Sequence, residues 1–274
     1  MRSTIKNNGL SRVFDLLFSL LLISVLAGCG GGGGSTPDAD PTGYYTGGAT
    51  VKNTDGLGGD LVLTDLRGMI SGNRVMIMSN SQALLYDATI TDINGNNFTA
   101  NVMIYYGLDA GATATPPPAP ISTTISGTIT EGSQITGTVA GAGIGTGNFN
   151  LTYSLTNSDT ADIANIVSSW KGAINKVDQA VFDFSIASGG AVSVVFLTTP
   201  DQGIFQTCQM TGTLSPIANT TIYSVDVTLT TGTCNTPSYE TNYTGFATTS
   251  DTNHNTLIVQ FSNGTVAFLA ELTP

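Results

Sequence analysis

The stretch Leu257-Ile258-Val259-Gln260-Phe261-Ser262-Asn263-Gly264-Thr265-Val266-Ala267-Phe268-Leu269-Ala270 decides the fold class. Leu257, Val259 and Phe261 alternate, Asn263-Gly264 follows, and Val266, Phe268 and Ala270 alternate again. Two period-two runs around an Asn-Gly pair read as a β-hairpin. A two-residue turn pairs Phe261 with Val266 and Val259 with Phe268, so both apolar sets meet on one face. The same grammar recurs upstream. Leu84, Tyr86, Ala88 and Ile90 form one inner face, and Phe98, Ala100, Val102 and Ile104 another. A two-residue Asn94-Gly95 turn would flip one of these strands outward, so an odd-length loop or a bulge is expected at 92–96. Ile125, Gly127 and Ile129 face Ile135, Gly137 and Val139 across Glu131-Gly132-Ser133 in the same way.

Composition agrees. The 274 residues are 10% charged and 41% hydrophobic, with 33 Gly, and the mean hydropathy is +0.17. Apolar content at that level supports packed cores, and Thr, Gly and Asn between short runs favour strands and tight turns. About eight strands are expected in residues 44–156 and eight in 169–274. Residues 157–168 form a connector with one helical turn, capped by Ser158 or Asp159. Thr113–Pro120 is Pro-rich, cannot join a ladder and reads as an exposed loop. Each half opens on an aromatic, any residue, then Gly: Tyr45-Thr46-Gly47 and Trp170-Lys171-Gly172. The expectation is an all-β chain of two tandem antiparallel domains, small eight-stranded meander barrels or sandwiches.

The N-terminus sets the compartment. Arg2, Lys6 and Arg12 precede an apolar run from Val13 to Ala27, which is short for a membrane span and fits a secretory signal. Leu26-Ala27-Gly28-Cys29 follows and resembles the lipobox of bacterial lipoproteins position for position. That resemblance implies cleavage after Gly28, lipidation of Cys29 and an acylated new terminus, a multi-chain anchor that holds stably where one chain would not. Gly30, where inner-membrane lipoproteins often carry Asp, implies export to the outer membrane of a Gram-negative bacterium. The domain plan is therefore a signal peptide at 1–28, lipidated Cys29 with a Gly-rich tether through 43, then the two β-domains. As random coil the tether spans roughly 20 Å. The mature chain carries 5 Lys/Arg against 18 Asp/Glu, a formal charge of −13, which opposes nucleic acid and anionic headgroups as partners.

Residues 169–274, with Trp170-Lys171-Gly172, Cys208, Cys234 and Tyr243-Thr244-Gly245-Phe246-Ala247, resemble the C-terminal domain of uncharacterised proteobacterial lipoproteins. That resemblance implies no particular activity. Export makes a Cys208–Cys234 disulfide the expected state, and closing that loop contributes roughly 3–4 kcal/mol in the chain-entropy model. Cys208 lies in phase with Met210 and Leu214. Cys234 is out of phase with Tyr223, Val225, Val227 and Leu229, so a bulge or strand end is expected at 231–233.

Chemistry-bearing groups are few. His254 is the single histidine and reads as a loop residue, although Asp251 could join it at a metal. Asp92-Ile93-Asn94-Gly95-Asn96-Asn97 has oxygen ligands at alternating positions but lacks the rest of a calcium loop. Trp170 and Tyr45 read as core plugs, and Met76, Met78 and Met103 as core filler. No Gly-x-Ser-x-Gly elbow and no matched acid pair stand out. The expected function is non-enzymatic: a lipid-anchored binding or scaffolding module, with no cofactor or metal, taking a small apolar ligand or an envelope protein. A surface adhesin or filament-associated component is the alternative, and a hydrolase comes last.

Overall fold

Among the described residues, alternating apolar residues and glycine-rich turns produce sixteen antiparallel strands in two groups of eight. The computed structural model describes residues 37–52, 60–106, 119–141, 145–154, 160–173, 181–198, 206–230, 242–250 and 252–274. The signal peptide, Cys29, the tether through 36, positions 113–118, the caps expected at Ser158 or Asp159, the bulge expected at 231–233, Cys234 and Asp251 lie outside the described residues.

The first group comprises β1 (Gly43–Val51), β2 (Leu61–Ser71), β3 (Arg74–Ser79), β4 (Leu84–Asn94), β5 (Asn97–Tyr106), β6 (Ile121–Thr130), β7 (Gln134–Gly141) and β8 (Gly145–Tyr153). They form a closed up-and-down barrel, with β8 returning to β1 along a ladder from Tyr45↔Tyr153 to Val51↔Gly147. Ile129 pairs with Ile135, Gly127 with Gly137 and Ile125 with Val139, as the alternation requires. The β4–β5 hairpin contains the expected bulge, but the register shifts between Ile90 and Asp92, just before the expected interval. The turn itself is even: Asn94 pairs with Asn97 around Gly95-Asn96, with Gly95 at φ +59°. That is the glycine-first arrangement of a type II′ turn. Bulge and even loop together keep Ile90 opposite Ala100 and both inside the barrel.

The second group comprises β9 (Ser169–Ala173), β10 (Val181–Ile186), β11 (Ala191–Thr198), β12 (Gln206–Pro216), β13 (Ile222–Leu229), β14 (Asn242–Thr249), β15 (Leu257–Ser262) and β16 (Ala267–Leu272). This meander curls until, among the described residues, its ends meet at the antiparallel bridge Lys171↔Thr273. We call the two groups barrel 1 and barrel 2. In the β15–β16 hairpin Phe261 pairs with Phe268 and Val259 with Ala270. The loop therefore holds four residues, Asn263 to Val266, rather than the expected two. The Asn263 side chain accepts from the backbone N–H groups of Thr265 and Val266, a local bond that competes with the tighter turn. The shift of two preserves parity, and both apolar sets still face inward.

Two departures alter the domain plan. Order begins before residue 44: Ala39 is buried, its N–H donates to the Gly95 carbonyl, and the Gly95 N–H donates to the Asp38 carboxylate. Residues 38–42 thus strap one end of barrel 1. The connector is not a free linker either. Its one turn, a 3-10 segment at Ile163–Asn165, is capped by Asp162, and Ile166 is buried in the core of barrel 2.

The barrels also share a seam, so Asp38–Pro274 form one compact unit with three apolar clusters. Tyr44, Met69, Met76, Met78, Leu85 and Tyr105 on the outside of barrel 1 pack with Ile222, Phe246, Ile258, Ala267 and Leu269 on the outside of barrel 2. Met76 and Met78 are therefore buried as expected, but in this seam and not inside a barrel. Met103 packs against the same cluster.

Candidate functional site

Three places on the molecule hold buried or polar groups capable of function: the strapped interior of barrel 1, the seam, and the polar turns. Isoleucine, valine and leucine alternating around eight strands line the first. Only a void of about 10 Å³ remains among Pro41, Ile70, Val75, Ile77, Ile90, Phe98, Ile125, Ile129, Ile135, Phe149 and Leu151. A dry apolar space of that size admits no ligand as it stands. Pro41 forms its lid, and the Tyr45 hydroxyl donates to the Pro41 carbonyl at 2.9 Å. Burial pushes the Tyr45 phenol far above its ordinary range, with Tyr153, Asp40 and Glu131 adding to the effect.

Barrel 2 repeats this device with different side chains. The Trp170 indole N–H donates to the Ile166 carbonyl, also at 2.9 Å and also four residues back. Tyr45 and Trp170 are thus the plugs the sequence predicts. The interior of barrel 2 is filled with rings: Phe268 lies 5.1 Å from Phe196, 5.2 Å from Phe261 and 5.3 Å from Tyr243. Edge-on and tilted contacts of this kind add to area burial.

At the seam, the Arg74 guanidinium grips the Asp87 carboxylate through two nitrogens, at 3.1 and 2.8 Å. It also donates to the Thr244 hydroxyl at 2.7 Å and the Thr244 carbonyl at 3.1 Å, across the junction. The Ser262 hydroxyl donates to Asp87, and Arg74 sits 5.9 Å from the centre of the Phe246 ring. Fully buried Gln260 donates to the Arg67 carbonyl, and Arg67 lies 3.7 Å from Glu271. These are structural ties: each ion has partners from the opposite barrel or its own sheet.

The remaining candidates are engaged locally. His254 sits at φ +54° with Nδ1 3.1 Å from the Thr249 hydroxyl. Asp92 to Asn97 form the bulged end of a hairpin whose Gly95 holds the strap. Asp65 accepts from the Ser79 hydroxyl and from both the hydroxyl and N–H of Ser81. Burial alone would raise its carboxyl, but these bonds outweigh burial and hold it below the usual range. Among the described residues no three His, Cys, Asp or Glu side chains gather as a metal site. Cys208 is fully buried on the inner face of β12 with Met210 and Leu214.

The seam was missed by the alternation argument. Its signal was present: Val75-Met76-Ile77-Met78, Leu257-Ile258-Val259 and Ala267-Phe268-Leu269-Ala270 are unbroken apolar runs, and strands buried on both faces read that way.

No protein-family model matches the chain, and no curated protein matches it. Among solved structures, it is similar to isotype 1 transferrin binding protein B from serogroup B Neisseria meningitidis, at 8% identity and a TM-score of 0.27. That match covers 81% of this chain, which spans 60% of the length of the other.

Proposed function

We propose that the mature protein is an outer-membrane-anchored lipoprotein whose double barrel serves as a rigid binding or scaffolding module in the cell envelope. The observation that carries this reading is the seam. An apolar cluster and the Arg74–Asp87–Ser262 tie join two barrels that could each close alone, a construction suited to presenting fixed surfaces. Arg67, Arg74, Asp87 and Glu271 engage their charges in ties across or beside the seam, a structural use that fits a binding module. Lipidation at Cys29 and a Cys208–Cys234 disulfide belong to this proposal.

A surface adhesin is the second reading. It is favoured by the exposed, uncharged rows on barrel 1: Ser122, Thr124, Ser126 and Thr128 on β6, beside Thr138 on β7 and Asn148, Asn150 and Thr152 on β8.

Metabolic acyl labelling in a Gram-negative host tests the anchor. The wild type should take up label, and Cys29→Ser should abolish labelling and release the protein. Mass spectrometry of the released protein should find Cys208 and Cys234 joined. Label persisting on the serine variant, or two free thiols, would contradict the proposal. Protease treatment of intact cells separates the readings: digestion supports the adhesin, and protection supports a periplasm-facing module.

A further inference from the structure

The strap and the void beneath it form a closed entrance. Residues 38–42 cross one mouth of barrel 1 and are fastened by few bonds: Ala39 N–H to the Gly95 carbonyl, Gly95 N–H to Asp38, and the Tyr45 hydroxyl to the Pro41 carbonyl, each near 2.9–3.0 Å. Below Pro41 the lining is apolar and mostly aliphatic, with Ile70, Ile90, Ile125 and Ile129 beside Phe98 and Phe149. The corresponding end of barrel 2 differs. There a capped 3-10 turn carries the plug, the Tyr223 hydroxyl donates to the Asp162 carbonyl, and rings fill the interior.

We propose that barrel 1 is a binding site for one uncharged aliphatic chain, gated by displacement of the 38–42 strap. An eight-stranded barrel has room either for its own side chains or for one small ligand, and Ala39 and Pro41 occupy that room when the strap is down. Lifting the strap opens an apolar space, and apolar cavities are the kind that take up small apolar molecules. Charge at the mouth selects the ligand. Asp38 and Asp40 lie on the strap, and Glu131 lies close enough to act on Tyr45, so a carboxylate head is repelled and a hydroxyl head is admitted. The affinity of the closed protein is reduced by the fraction of time the strap is open. This inference deepens the binding reading but does not depend on lipidation. Acyl labelling at Cys29 and occupancy of barrel 1 are separate results.

The test is a titration of the mature chain carrying Cys29→Ser with 1-decanol, observed at the isoleucine δ1 methyl groups by NMR. Saturable shifts are expected at Ile70, Ile77, Ile90, Ile125, Ile129 and Ile135, with Ile186 of barrel 2 unmoved. Asp38→Ala together with Tyr45→Phe removes two strap bonds without altering the aliphatic lining. It should tighten the apparent affinity about tenfold. Decanoate should bind more weakly than decanol. Absence of saturable shifts in both proteins, equal shifts at Ile186, or identical affinities for the two proteins would overturn the proposal. Decanoate binding as tightly as decanol would overturn the selection by charge. Should the double variant lose the methyl spectrum of a folded protein, the wild-type titration decides: saturable lining shifts support the site and their absence overturns it.

Discussion

Barrel 1 and barrel 2 follow one plan and close it differently. In each, the first strand carries an aromatic plug whose polar atom reaches back four residues to the carbonyl of a buried residue, Pro41 or Ile166. Two residues later comes a glycine pressed against the last strand. A Cβ at Gly47 would lie 2.0 Å from the Asn150 carbonyl oxygen, and one at Gly172 would lie 2.6 Å from that of Glu271. Barrel 1 then seals along a β1–β8 ladder, whereas among the described residues barrel 2 is joined at the Lys171↔Thr273 bridge. The interiors differ too. Barrel 1 keeps a mostly aliphatic core with a small void, whereas barrel 2 is filled by interlocking rings. Aliphatic and aromatic packing thus fill the same eight-stranded plan in two ways.

The largest test of this contrast removes a ring. Phe261→Ala should destabilise the protein by about 3–5 kcal/mol, because rings at 5.2–6.3 Å from it lose their partner at once. Ile129→Val in barrel 1 should cost only about 1 kcal/mol. Urea denaturation of both variants checks the ratio, and equal losses would break the comparison. Next come the closing glycines. Gly47→Ala should cost about 2–3 kcal/mol, since the methyl meets backbone in a ladder that cannot yield. Gly172→Ala should cost about 1 kcal/mol, because its closest contact, 2.6 Å, is looser. Reversal of that order would mean that barrel 2 has the tighter closure.

The smallest effect concerns the seam. Burial pushes the phenol of Tyr44 up to about 12, with Arg67 lowering and Glu271 raising it more weakly. An unfolded tyrosine loses its proton near pH 10. Between pH 10 and 12 the folded chain holds a proton that the unfolded chain has released, so stability falls as pH climbs through that window. By pH 11 Tyr44→Phe should remove about 1.4 kcal/mol of that alkaline loss, leaving the part due to Tyr45, Tyr105 and Tyr223, which burial also raises. Chemical denaturation at pH 8 and pH 11 measures it.

Much of this architecture was legible from side-chain parity. Ile125–Ile129 against Ile135–Val139 fixes both pairing and face, and Leu257–Phe261 against Phe268–Ala270 fixes the face even where the loop was misjudged. Turns were less legible because Asn acts in two ways. At Asn263 the side chain satisfies nearby backbone and opens the loop to four residues, whereas at Asn94 the residue pairs across the ladder and passes the turn to Gly95-Asn96. The strap was hidden by composition: Ala39 and Pro41 sit in a Gly-, Asp- and Pro-rich stretch that reads as tether, and only a barrel mouth gives them something to cover. The seam was hidden because alternation asks which face is inward and does not ask whether the outward face is also buried. Of the candidate site, the plugs Tyr45 and Trp170 were visible, but what they close was not.

The central claim is that two separately closed barrels behave as one body because the seam ties them. Differential scanning calorimetry of the mature chain carrying Cys29→Ser addresses it directly. A single transition whose calorimetric and van't Hoff enthalpies agree is predicted. Two resolved transitions, one for each barrel, would contradict it.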